Sequence, residues 1–171
     1  MPVKILTADA LTRLTPAEKK VAERLVAGAS NIRGARDLSM STSTFAGHVA
    51  SIGRKFQITS RTGRPARAHA VLASKQVAPP PAPPRVPNFT PDDLRLLRAL
   101  AEHPETHDIA RATGIALADV RPRIADLVAK AEADNETHLV GLGHAWGLLG
   151  VEPSGADCAP ETANKPVGAT R

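Results

Sequence analysis

LTPAEKKVAERLVAG, Leu14 to Gly28, carries its own start and stop signals, and the rest of the chain can be placed by reference to it. Thr15 suits the N-cap. Pro16 suits the first helical position, where its missing N–H costs nothing, and Glu18 completes a capping box. Val21, Ala22 and Leu25 form an apolar stripe, and Gly28 offers a left-handed stop. Downstream, SNIRGARDL predicts a second short helix from Ser30. SMSTSTFAGHVASIGRKF predicts a third from Ser41, with Phe45, Val49, Ile52 and Phe56 on one face. RTGRPARAHAVLAS predicts a fourth, its start delayed by Gly63 and Pro65. No period-2 run of β-branched residues interrupts this helical spacing, so the expected fold class is all-α.

A short helix, a tight turn and a longer helix with an apolar inner face is the helix-turn-helix plan. The outer face of the longer helix is small and polar. Ser43, Ala46, Gly47, Ala50 and Ser51 allow close approach to base edges, with Arg54 and Lys55 placed for phosphates. One helix earlier, Asn31 and Arg33 join the candidate DNA-contacting set.

Sliding the chain against itself by 75 residues brings Thr15-Pro16 onto Thr90-Pro91, and the match continues without a gap. Leu25 meets Leu100, Ala35-Arg36 meets Ala110-Arg111, Lys55 meets Lys130 and His69-Ala70 meets His144-Ala145. Apolar class is kept at Val21/Leu96, Phe45/Val120, Val49/Ile124 and Ile52/Leu127. A shared phase over four helices predicts two tandem four-helix modules. Residues 1–76 form the first and residues 89–150 a divergent second. QVAPPPAPPRVPN supplies a Pro-rich linker, 77–88, expected to be an extended spacer of roughly 30 Å. Residues 151–171 are small, polar and Pro-interrupted, and are expected to be a disordered tail.

The repeat puts GIALADVRPRIADL, Gly114 to Leu127, at the second recognition-helix position, with Arg121 and Arg123 as further candidate DNA contacts. A start near Leu117 would leave Pro122 beyond the first turn. It would then lose a bond to the Ala118 carbonyl, kinking or shortening a helix no longer shaped for a groove. A start at Asp119 would keep the arginines usable.

Charge divides the chain. Residues 1–78 hold 13 basic and 4 acidic side chains, whereas residues 88–150 hold 6 and 10. The first half attracts a phosphate backbone and the second is repelled unless its arginines are concentrated. Aromatic content of 2% without Tyr argues against base-stacking recognition of single strands. The single cysteine, Cys158, rules out an internal disulfide. No apolar run approaches a membrane span and no signal-peptide core is visible, so a cytoplasmic, nucleoid-associated protein is expected.

LTPAEKKVAERLVAGASN, ARDLSMSTSTFAGHV and RKFQITSRT together resemble the LuxR-type (GerE-type) helix-turn-helix domain over Leu14 to about Ala73. FTPDDLRLLRALAE, DIARATGI and THLVGLGHAWGLL resemble it more weakly. The resemblance implies a third helix in the major groove and a fourth often used for dimerisation. By position it assigns base reading to Ala46, Gly47 and Ala50 and phosphate contact to Thr44 and Lys55, with His48 on a frequent family histidine. Two departures stand out. Arg33-Gly34 replaces the usual Glu-Ile, removing a core side chain, and Ala46 replaces a common Lys, leaving apolar contact or none at that base. With no receiver or ligand-sensing segment read before the first module, the resemblance implies something other than a typical phosphorylation-controlled response regulator.

The function expected is sequence-specific double-stranded DNA binding in transcription regulation. The first module is the main reader, and the second adds DNA contact or dimerises. Two other classes fit: a protein-binding adaptor or anti-activator using the acidic module and a patch around Trp146, and an architectural factor in excision, replication or packaging. Expected partners are duplex DNA, a second copy as homodimer, and a protein on the second module, with no membrane. No nucleophile–base pair or phosphate-cradling Gly loop points to an enzyme. His103 and His107 have metal-ligand spacing, but Pro104 lies between them and no third ligand is evident, so neither cofactor nor metal is expected.

Overall fold

The computed structural model describes residues 13–58 and 62–150, which form eight α-helices and no strand. The expected disordered tail, 151–171, lies outside the described residues. The helices are α1 (Pro16–Val26), α2 (Asn31–Asp37), α3 (Thr42–Lys55), α4 (Arg64–Ala73), α5 (Pro91–Glu102), α6 (Thr106–Thr113), α7 (Leu117–Lys130) and α8 (Glu136–Ala145).

Local signals set the starts. Thr15 Oγ1 accepts from Glu18 N at 3.3 Å, and Glu18 Oε2 accepts from Thr15 N at 2.8 Å. Thr90 and Asp93 repeat the box at 3.2 and 2.9 Å, and Ser30 and Ser41 cap α2 and α3. α1, α2 and α3 begin 75 residues before α5, α6 and α7, and α3 and α7 both run 14 residues. Left-handed backbone recurs at the same interval: Ser39 and Gly114, Gln57 and Glu132, Lys75 and Gly150.

α7 takes the earlier of its two expected starts, with Pro122 inside the helix. It is not shortened. Pro122 has no N–H to give the Ala118 carbonyl, and both residues lie on the exposed side, while Val120, Ile124 and Leu127 anchor the inner face.

The space vacated by Gly34 is filled from α3. A Cβ on Gly34 would lie 2.4 Å from Cζ of Phe45, whose ring is fully buried. The aromatic ring substitutes for the side chain that Gly34 lacks, so the pair should be strongly coupled. Gly34→Ala is expected to destabilise by about 1–2 kcal/mol, overpacking exceeding the gain in helix propensity. In a Phe45→Leu background the same change should become neutral or stabilising. A double-mutant cycle in urea checks this, and additive effects would contradict it.

Residues of both halves share one apolar cluster, including Val26 of α1, Val71 of α4, Leu97 of α5 and Val140 of α8. α4 lies along α8 in the most extensive helix pairing of the structure. The reason is in α8, where Thr137 and Leu139 to Gly143 are all buried: a helix apolar on every side has to be covered on every side. The Pro-rich segment supplies part of that cover. Pro80 is buried, and a Cβ on Gly141 would lie 2.8 Å from Pro80 Cγ. Trp146 Nε1 donates to the Pro83 carbonyl at 3.1 Å, and Phe89 meets the Trp146 ring at 5.8 Å between centroids. Residues 77–88 are therefore a strap laid on the second half. The expected extended spacer is thus not a free one, because α8 demands apolar cover and Pro80 and Pro83 supply part of it.

Between α4 and α8, His69 Nδ1 and His144 Nε2 share a hydrogen bond of 2.9 Å. Burial lowers the pKa of both rings. For His144, burial and then the neighbouring His69 bring it to about 4, so the pair is neutral at physiological pH.

Candidate nucleic-acid interface

α2, a four-residue turn and α3 form a helix-turn-helix on the surface of the first half. Phe45, Val49 and Ile52 hold α3 against the core. Its opposite side presents Ser43, Thr44, Gly47, Ala50 and Arg54 exposed, and Ala46 and His48 partly so. Ser41, the cap of α3, shares hydrogen bonds with the Ser43 and Thr44 hydroxyls at 2.9 and 2.7 Å. Arg54 makes no ion pair with a described residue.

Gly47 is the informative position. A Cβ there would meet nothing within 4 Å, so no packing contact among the described residues calls for glycine. Yet glycine in a helix interior costs about 0.8–1 kcal/mol relative to alanine. Its effect is to leave a strip of α3 backbone uncovered in the middle of the outer face.

Other predicted contacts are engaged internally. Lys55 Nζ donates to Glu18 Oε2 at 2.6 Å and to the Arg13 carbonyl at 3.2 Å. The Ser51 hydroxyl donates to Glu18 Oε1 at 2.8 Å. Glu18 is buried, which by itself would raise its pKa. The hydrogen bonds from Lys55, Thr15 and Ser51 outweigh burial and hold it down to about 2. Asp93 and Lys130 repeat the ion pair at 2.6 Å in a more exposed setting.

Asn31 is held within the first half by α4, and Arg33 faces the second half. Asn31 Oδ1 accepts from Arg64 Nη1 at 2.8 Å, while Arg64 Nη2 donates to the Ala29 carbonyl at 2.6 Å; Arg33 lies 3.9 Å from Asp134. Arg64 was not singled out from the sequence. Its position at the start of a helix 33 residues from Asn31 carries no local signal of that bond.

Arg121 and Arg123 are both exposed but line different grooves, as residues two apart on a helix must. Arg121 borders a groove of about 710 Å³ with Ser30, Arg64 and Pro65, between α7 and the start of α4. Arg123 borders one of about 360 Å³ with Asp92, Arg95 and Asp119. Trp146, the centre of the patch expected for a protein partner, is partly buried and tied to the Pro-rich strap. No helix among the described residues is long and apolar enough to cross a membrane.

The first half is thus defined by its geometry as a helix-turn-helix unit. Residues 12–64 match the family model for bacterial regulatory proteins of the luxR family, so this segment is similar to LuxR-type domains, a similarity that points to a DNA-binding regulator of transcription. No curated protein and no solved structure matches the chain.

Proposed function

We propose that the protein regulates transcription by reading double-stranded DNA in sequence-specific fashion, with α3 as the reading helix. The two halves are then divergent copies of one module. The observation that carries the reading of α3 is Gly47. It lowers helix stability, relieves no contact among the described residues, and opens the backbone of α3 on the side where Ser43, Thr44, His48, Ala50 and Arg54 are also presented. Ala46 and Ala50 offer methyl groups to thymine, and the Ser43 and Thr44 hydroxyls offer hydrogen bonds to phosphate or base. The basic balance of residues 1–78 supplies the long-range attraction. The second half, supported by the recurrence of three helix starts, the capping box, the ion pair and left-handed turns at 75 residues, keeps the framework with an acidic surface.

The test uses the full chain and a pool of random-sequence duplexes. Specific sequences should be enriched, with affinity falling steeply as salt rises. Gly47→Leu should raise stability toward urea by about 0.8 kcal/mol, because leucine is a better helix former in an exposed position. The same substitution should weaken binding to the enriched duplex by more than tenfold through lost backbone approach. Unchanged binding by this more stable variant would remove α3 from the interface.

A further inference from the structure

We infer that one chain is an internal dimer, which binds duplex DNA as a monomer and lays α3 and α7 on two neighbouring, unequal half-sites of the same duplex. This rests on the proposed role of α3.

The contacts between the halves have the pattern of a two-fold axis. In a two-fold interface, contact of position i with position j requires contact of j with i, and positions near the axis touch their own equivalents. With a period of 75, His69 is equivalent to His144, and these two rings share the 2.9 Å hydrogen bond. Gly28 at the end of α1 lies against His138 in α8, where a Cβ would come within 2.7 Å of His138 Cβ. The reciprocal pair is Gly63 and His103, and both line one small cavity at the junction of α4 and α5. α1 packs on α8 as α5 packs on α4, and α4 packs on α8. Repeats stacked head to tail would pair unlike surfaces and leave α4 and α8 apart.

Two consequences follow. The surface of α4 that would pair with a second chain is already covered by α8, so a second copy has no equivalent place to dock. The same axis carries α3 onto α7, as the dyad of a helix-turn-helix dimer carries one recognition helix onto the other, with half-sites about one duplex turn apart. The two faces differ in chemistry. Pro122 stands where α3 has Gly47, and Arg121 and Arg123 stand where it has Ala46 and His48. Although it takes the early start, α7 keeps the 14-residue length of α3, so it still offers charged contacts to phosphate or to guanine edges, without the close backbone approach of α3.

The full chain and the duplex enriched from the random pool supply the test. Sedimentation should give one 17.9 kDa chain free in solution and one per duplex at saturation. The double variant R121A/R123A, both residues exposed, should unfold like the wild type in urea, yet bind on the order of tenfold more weakly. Its protected region should be lost at one end only. Two chains per duplex, or a footprint untouched by R121A/R123A while Gly47→Leu still impairs binding, would overturn the internal dimer and leave α3 as reader. No sequence enrichment by the wild type would bring down both.

Discussion

Glu18→Ala should destabilise the protein by about 3–5 kcal/mol in urea at pH 7, the cost of breaking a buried ion pair by removing one partner. The carboxylate accepts the Lys55 ammonium at 2.6 Å, the Ser51 hydroxyl at 2.8 Å and the Thr15 amide at 2.8 Å. It thereby ties the start of α1 to the end of α3, and its loss orphans all three donors. The same group sets an acid limb. Its pKa falls from 4.5 to about 2 on folding, so the stabilisation is fully present above pH 4.5 and disappears as pH drops toward 2. The loss over that window is about 3 kcal/mol, and Glu18→Ala should flatten it. Asp93→Ala, at the equivalent position, should cost about 1 kcal/mol, because the side chains of Asp93 and Lys130 are 27% and 37% exposed and water competes for the pair. A loss below 1 kcal/mol for Glu18→Ala, with the acid limb unchanged, would show that Lys55 and Ser51 find other partners at no cost.

Gly141→Ala should lower stability by about 2–4 kcal/mol. The added methyl would lie 2.4 Å from the Val26 carbonyl oxygen and 2.8 Å from Pro80 Cγ. The first of these belongs to helix backbone at the end of α1 and cannot rotate away, so α8 has to lift from α1 and from the strap. Overpacking of this kind costs 1–3 kcal/mol or more, of which about 1 is returned by the better helix propensity of alanine. Backbone obstruction places the expected net value above that of an ordinary overpacked site. Gly143→Ala is the control: its nearest obstacle is the Leu149 side chain at 2.9 Å, which can change rotamer, so the cost should be smaller. Hydrogen exchange should speed up in α1 and α8 of Gly141→Ala and not in α2. Wild-type stability and exchange in that variant would mean that α1 and α8 are not in close contact.

These residues also mark how far the sequence could be read. Thr15, Pro16 and Glu18 gave the start of α1, and Ser30 and Ser41 gave α2 and α3, because a cap is a bond between residues three apart. Phe45, Val49 and Ile52 gave the inner face of α3 by period alone, and the 75-residue offset matches the starts of α5 and α6 to those of α1 and α2. Pro122 left two starts open for α7. The structure selects the earlier one, since Val120, Ile124 and Leu127 hold the helix on the side away from the missing bond. Gly34 and Phe45 were both visible, but their compensation was not, because eleven residues and a turn separate them.

Everything with short reach, namely caps, periodicity, linker composition and the exposed small-residue face of α3, was determined by the sequence itself. Tertiary structure alone decided which polar groups on that face remain available. Ser51 and Lys55 are held by Glu18 across 33 and 37 residues, and Asn31 by Arg64 across 33. It also turned the Pro-rich segment into a strap and brought His69 to His144 across 75 residues. Periodicity reports which side of a helix must be buried. What buries it depends on the shape and remaining apolar surface of elements far along the chain, and α8, apolar on all sides, drew the two halves together.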